Sequence, residues 1–409
     1  MEITWLGWIQ SLKRNNCMSE TTGQKTKKTG IIVAIAAVST LLMSFSMQAG
    51  ILSAIAASFP QADDAQIQLI HSICSLAAMP SMFGVVKLSE FISKKKCVLI
   101  GVAILIVGGL LPLLLHSHIW MLYVSSILIG FGMGFINIST ATLISEHFSG
   151  PDKGRVMGIQ AALQGVGAAL YSVLGGAIAD WINWKWSFLV FLLGIPALIL
   201  FAILMPEDKP VRQEKSERTP FLTKQLIILI ALNFLFNLTS TGFQSNISMF
   251  IDVEGLGSVT LSGVLNAFFM VVGVPVGFAL GAYMQKLKRW SNVIVAGVAS
   301  IGMILIFFSH SLVPVIIGTF LTGVAFAAYA PANMTFVCSV AKQENVSRSV
   351  ATSNAFSCVA RFASPVVINF ITRFFGGGIR TNFIVSGIGL AAVFVLLLIL
   401  NPVKNSDLE

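Results

Sequence analysis

Charge is scarce in this chain, and what there is of it is unevenly placed. Charged residues make up 11% of the sequence, while hydrophobic ones make up 56% and the mean hydropathy is +0.85. A soluble domain carries roughly 25% charged residues, so the soluble class is excluded. Acidic residues and lysines are missing from the interior of every long apolar run, which leaves no acid placed for a deep proton relay. There are five cysteines and no C-x-x-C pair, which argues against a disulfide or metal framework; they read as small apolar residues. No glycine-rich phosphate loop of the G-x-x-x-x-G-K-Ser/Thr kind is present, so no ATP-binding module is expected. A membrane enzyme would need a nucleophile–base pair, a carboxylate pair or metal ligands within the bilayer. The single histidine inside an apolar run and the missing acids argue against that. No cofactor and no metal are expected.

What is present is a series of twelve apolar segments, most of them about 20 residues or longer, enough to cross about 30 Å of hydrocarbon as helices. They run from Gly30 to Phe59, Gln66 to Leu88, Cys97 to Leu115, Ile119 to Ile144, Gly154 to Trp181 and Trp186 to Met205. After a polar stretch they continue from Phe221 to Ile251, Thr260 to Met284, Ser291 to Ser309, Leu312 to Val340, Val346 to Phe374 and Ile379 to Leu400. Membrane strands are about 10 residues long and alternate in polarity, so strands do not fit. If alternate loops share a side, 22 of the 26 basic residues fall on one side, three on the other, and Arg361 within a segment. By the positive-inside rule the crowded side is cytoplasmic and so are both termini, in the plasma membrane. The net charge of +9 therefore reports topology and contact with lipid heads, not nucleic acid. A monomer is expected. Residues 1–28 contain a short stretch with Trp5, Leu6, Trp8 and Ile9. It reads either as an interfacial segment or as an extension upstream of a start at Met18.

The connection from Pro206 to Pro220 has mixed charge and a proline at each end, and reads as a solvated linker. The expected organisation is a cytoplasmic segment 1–28, a six-helix bundle 29–205, a linker 206–223, a second bundle 224–401 and a tail 402–409. The two halves align at one offset of 193 residues without gaps. Gly84 maps to Gly277, Lys96 to Arg289, Gly109 to Gly302, Gly130 to Gly323, Arg155 to Arg348 and Gly194 to Gly387. A parallel six-helix repeat is a transporter signature, with the binding site near the midplane between the halves. The fold class is thus an all-α membrane protein with 12 transmembrane helices in two six-helix bundles.

With these features the chain resembles the major facilitator superfamily from Gly30 to Pro402. The family's loop between helices 2 and 3 carries a leucine, a small residue, an acid or amide and a basic residue between two glycines, then two basic residues. Here Leu88, Ser89, Glu90, Lys94 and Lys95 match or nearly match, while both glycines and the basic residue after the acid are missing. The resemblance implies a gate made by Glu90, Lys94 and Lys95, joined by Arg155 and Arg348, with Glu90 set against helix ends or the basic cluster; a solvated charged turn is the alternative. Two motifs of the family's drug–proton antiporters are altered. Ser126 stands where helix 4 would carry an arginine, and the central Gly-Pro of helix 5 is absent around Tyr171 and Ser172.

Arg361 is the one charge deep in a segment. Such a charge costs roughly 2.5–3.5 kcal/mol on insertion scales and marks a cavity, a partner or a ligand. Its repeat partner is Ala168, so the charge belongs to one half only. Asn354, Ser357, Arg361, Ser364 and Pro365 recur at helical spacing and give segment 11 a polar face. A guanidinium is a planar fork suited to carboxylate, sulfate or phosphate. Backbone carbonyls freed near Pro365, or polar groups of segment 7, are the alternative partners. Segment 7 has a stripe of Asn233, Asn237, Gln244 and Ser248 that lines a cavity or bonds a neighbouring helix. Gln48, Asn137, Gln164, Tyr329 and Asn333 are further cavity candidates, and His71 is a candidate proton site. The expected function is secondary transport of a small or amphipathic organic anion by alternating access. A proton-coupled multidrug exporter and a transport-dead receptor or scaffold stay open as alternatives.

Overall fold

The computed structural model describes residues 28–148, 150–208, 223–273, 275–276, 286–288, 290–341 and 346–400, with backbone only at 150–155 and 346–347. The expected N-terminal segment, most of the linker, the tail and the second half of segment 8 therefore lie outside the described residues, as does the side chain of Arg155.

The described elements are helical throughout. We label them α1 (Lys28–Gly50, continued by Leu52–Ser58), α2 (Asp64–Leu88), α3 (Lys94–Leu114), α4 (Ile119–His147), α5 (Gly150–Trp181) and α6 (Trp184–Leu204). The second half holds α7 (Lys224–Val253), α8 (Val259–Val271), α9 (Trp290–Phe307), α10 (Leu312–Val340), α11 (Val346–Phe374) and α12 (Ile379–Leu400). Eleven are long and apolar enough to span a membrane; α8 is the described part of the twelfth. Their starts follow local chemistry. Ser93, Thr223 and Ser258 accept hydrogen bonds from the first turns of α3, α7 and α8, and Asp63 with Gln66 forms a capping box on α2.

Two elements expected as continuous helices are broken. α1 tightens into a 3-10 turn at Thr40–Met43, and α7 is interrupted at Thr241. In each the hydroxyls turn back on the helix: Ser39 donates to the Ile35 carbonyl, and Thr241 to that of Asn237. Such back-bonding competes with the helical ladder and bends it. α6 likewise begins as a 3-10 helix over Trp184–Leu193.

The repeat has a physical basis in close helix contacts. A Cβ on Gly130 of α4 would lie 2.2 Å from the Cys74 carbonyl of α2, and one on Gly323 of α10 would lie 2.6 Å from the Phe269 carbonyl of α8. Gly194 meets Ile106 of α3 as its repeat mate Gly387 meets Ile304 of α9. Equivalent glycines thus let equivalent helix pairs approach, as small residues do in membrane bundles.

The halves meet away from the side where the chain enters at Lys28 and leaves at Leu400. α2 packs on α11, and α5 on α8. Hydrogen bonds join the halves toward this far side. Asp180 at the end of α5 accepts from the Val259 and Thr260 amides at the start of α8 and from the Thr260 hydroxyl. Arg373 pairs with Asp63 at 3.0 Å. Ser248 donates to the Gly50 carbonyl. Four amides form a buried chain: Gln68 donates to Asn246 at 2.8 Å, Asn369 to Gln68 at 2.9 Å, and Asn382 to both Asn246 and Asn369 at 2.6 and 3.0 Å. The far side is closed, and the interior opens toward the terminal side.

Candidate functional site

Between the halves lies a cavity of about 180 Å³. The first half contributes Met43 and Phe45 from α1 and His71, Ser72 and Ser75 from α2. The second half supplies most of the wall, from α7, α10 and α11. Seven expected substrate contacts converge here: Arg361, Asn233, Asn237, Gln244, Tyr329, Asn333 and Asn354. His71 joins them from the opposite wall.

The polar stripes of α7 and α11 face each other and are linked. Asn233 donates to the Ser353 and Ser357 hydroxyls at 2.9 and 2.7 Å. Asn237 donates to Asn233 Oδ1 at 3.0 Å, and its own Oδ1 accepts from Arg361 Nε at 3.1 Å. Asn233, Asn237 and Gln244 of the α7 stripe thus line the cavity, the first two also linking α7 to α11, while Ser248 lies off the wall and bonds Gly50 and Ser53. Pro365 cannot give the N–H that would bond the Arg361 carbonyl, so the helix is loosened at this turn. Arg361 is half-buried, and its Nη1 and Nη2 bond no described residue. No acidic side chain lines the cavity among the described residues. The arginine thus presents the open end of its fork to a cavity without a described acid, a geometry that matches the paired oxygens of a planar anion.

The rest of the wall is aromatic and soft. Phe236 stacks on Tyr329 at 3.5 Å, and Phe45 on His71 at 5.0 Å. Phe326, Met270 and Met334 complete it. The Tyr329 hydroxyl and Asn333 Oδ1 are buried and have no described partner. His71 Nδ1 lies 3.3 Å from the Phe45 carbonyl, which places a proton on Nδ1. Phe45, Phe236 and Phe326 carried no sequence signal, because phenylalanine recurs along the lipid-facing surfaces as well.

Three expected contacts do not line the cavity. Gln48 is fully buried and spent on structure: it donates to Ser126 at 2.9 Å and accepts from Cys74. The serine at the place of the antiporters' arginine is therefore the partner of Gln48. Asn137 and Gln164 sit half-buried on α4 and α5, away from the wall. The amide stripes of α7 and α11 draw the cavity into the second half.

The expected gate also differs. Glu90 is half-buried and makes no ion pair with a described residue. Lys94 is buried and pairs with Glu146 at 2.7 Å, near Asp208 at 3.8 Å. Asp208 accepts the amide protons of Lys94 and Lys95, which caps α3 at its positive end. Lys95 Nζ donates to the Met205 carbonyl. These contacts all lie within the first half. The acids that meet the basic cluster are Glu146 from the end of α4 and Glu207 and Asp208 just beyond α6, the last two hidden in sequence within the charged connection. Arg348 is half-buried at the terminal end of α11.

The Major Facilitator Superfamily model matches residues 34–307. The riboflavin transporter RibZ of Clostridioides difficile is 24% identical over 257 residues, covering 55% of this chain and 54% of its own. The quinolone resistance protein NorB of Staphylococcus aureus is 23% identical over 210 residues, covering 50% and 44%. An uncharacterized MFS-type transporter of Mycobacterium tuberculosis is 26% identical over 187 residues, covering 46% and 26%. The chain thus spans about a quarter to a half of the length of these curated relatives. A bacterial homolog of the human lysosomal transporter Spinster, solved inward-facing and unoccupied, superposes with a TM-score of 0.69 at 15% identity, over 91% of this chain and 95% of its own. A POT family transporter in complex with 5-aminolevulinic acid gives 0.76 at 13% identity, over 92% and 97%. Such low identities show the fold alone. With a family model matching well over half of the chain and twelve helices arranged in the same fold, the protein is an integral membrane protein that belongs to the major facilitator superfamily.

Proposed function

We propose that this protein is a secondary transporter that moves a small or amphipathic organic anion by alternating access, with Arg361 holding the anionic group. The observation that carries the reading is the open fork of Arg361 in a cavity with no described acid. The aromatic and methionine wall suits an organic body beside the charged group. The riboflavin and quinolones named for two relatives are planar heteroaromatic molecules, a shape such walls accept. The membrane is the plasma membrane, with the terminal side cytoplasmic; the 22 of 26 basic residues on that side support this orientation. The far-side closure then makes the present conformation inward-facing. The activity in this reading is transport without an enzymatic step. Proton-coupled multidrug efflux is the second reading, favoured by Phe45, Phe236, Phe326 and the methionines.

The test is a thermal-shift and binding screen of salicylate, succinate, taurocholate, riboflavin and ethidium against the purified protein and Arg361→Ala. Stabilisation by one or more anions that is lost in Arg361→Ala supports the reading. Binding of ethidium alone, unchanged in the variant, would overturn it in favour of efflux.

A further inference from the structure

The cavity holds a charge that no described residue balances. Arg361 spends Nε on a neutral amide, and its two terminal nitrogens have no described partner. The acids with described partners are engaged near helix ends: Glu146 with Lys94, Glu207 with Lys96, Asp208 with the start of α3, Asp180 with the start of α8, Asp63 with Arg373 and Glu254 with Arg380. His71, across the cavity, could add only positive charge, and its Nδ1 already faces the Phe45 carbonyl.

While the cavity is open to one side, water has access to it and can solvate a guanidinium there. To open to the other side, the halves must release their far-side contacts and close over the terminal side. The cavity sheds water during that passage. An empty carrier then has to hold a guanidinium with a single neutral partner away from solvent, and an uncompensated ion is strongly disfavoured there. A carrier with a carboxylate on the fork passes through as a neutral, doubly hydrogen-bonded pair. A ligand alters a conformational change only through differential interaction with its states, and here the interaction is strongest in the closed intermediate.

We propose that the protein is an anion exchanger: the loaded form crosses quickly and the empty form slowly, so each anion moved one way is balanced by one moved the other. This rests on the reading of Arg361 as the anion anchor and adds the mode of transport to it. Net direction follows the two anion gradients.

The test follows switching between conformations in single molecules in nanodiscs. Dyes are placed at Gln61→Cys and Gly378→Cys, exposed far-side positions on opposite halves, with Cys17, Cys338 and Cys358 replaced by alanine. Two variants balance the empty cavity in different ways: Arg361→Gln removes the cation, and Asn237→Asp supplies an anion while keeping it. With sodium chloride as the only salt, both should switch on the order of 10- to 100-fold faster than the parent protein. An equimolar mixture of salicylate, succinate and taurocholate should accelerate the parent by a similar factor and leave Arg361→Gln unchanged. Parent switching as fast as both variants overturns exchange, while anion binding through Arg361 in the screen would still stand. Faster variants together with a parent that neither binds nor responds to the anions would remove the anchor reading, and exchange with it.

Discussion

Asn237 Oδ1 accepts the Nε–H of Arg361 at 3.1 Å, and this contact aims the guanidinium. Asn237 is itself fixed from behind, because its Nδ2 donates to Asn233, which is tied to Ser353 and Ser357 across the helix pair. The α7–α11 ladder therefore ends at the one charged group of the cavity. It uses the side donor of the fork and leaves the two terminal nitrogens outward. A site built this way is oriented before a ligand arrives, which reduces the ordering cost of binding.

Removing Arg361 should weaken binding without harming the fold. Loss of a charge-assisted pair is worth about 1.5–3 kcal/mol, or roughly 10- to 150-fold in affinity. Arg361→Ala should bind an anion found in the screen that much more weakly at an unchanged melting temperature. Arg361→Lys should recover only part of the loss, because an ammonium lacks the fork. A variant that melts much earlier yet binds normally would show that the arginine serves the fold.

Gln68 should matter for the closed far side more than for the site. Gln68→Leu removes the two buried hydrogen bonds that Gln68 makes across the halves, to Asn246 and from Asn369, a loss of about 1–3 kcal/mol for the two felt only while the far side is shut. Dye pairs at Gln61→Cys and Gly378→Cys should report a far side open about ten times more often. An unchanged distribution would mean that the amide chain does not hold the halves together.

Gly263 should be a steric determinant of closure. A Cβ there would lie 2.5 Å from the Ser172 carbonyl across the α5–α8 contact, and a Cβ on Gly50 would lie 3.2 Å from the Gly263 Cα. Gly263→Val should hold the far side open and stop transport while the protein still inserts. Labelling of Ser53→Cys by an impermeant thiol reagent from outside should rise several-fold in that background.

Acid should loosen the far side through Asp63. The Arg373 guanidinium beside it holds the Asp63 carboxyl below the usual aspartate range. A depressed carboxyl contributes stability above its ordinary value of about 3.9 and loses it as the pH falls through the lowered one. Far-side opening should thus be insensitive to pH between 7 and 5 and rise only below about 4. Glu254, held low by its hydrogen bond to Arg380, has the same sign but lies within the second half. Asp63→Asn should abolish the acid-induced opening if the ion pair between the halves is its source. Persistence of the response in Asp63→Asn would assign it elsewhere.

Sequence alone carried the class, the helix count and the deep charge, because these depend on quantities summed along the chain. Hydropathy over about 20 residues measures the cost of placing a segment in hydrocarbon. Arg361 stood out because its surroundings in sequence are also its surroundings in the membrane. The amides of α7 and the polar face of α11 were legible for the same reason, since helical spacing fixes which residues share a face. Whether two faces meet is a different matter. Asn233 and Asn237 join the cavity because α7 packs on α11. Gln48, equally polar, is consumed by Ser126 on another helix, and Asn137 and Gln164 are turned from the wall. Glu146 and Asp208, not Glu90, meet Lys94 because the ends of α4 and α6 return beside the start of α3, and nothing local records that return. Gln68, Asn246, Asn369 and Asn382 are single amides on four helices that become one network only when the halves close. Pairings between distant helices depend on which surfaces are buried together, and the tertiary structure fixes that.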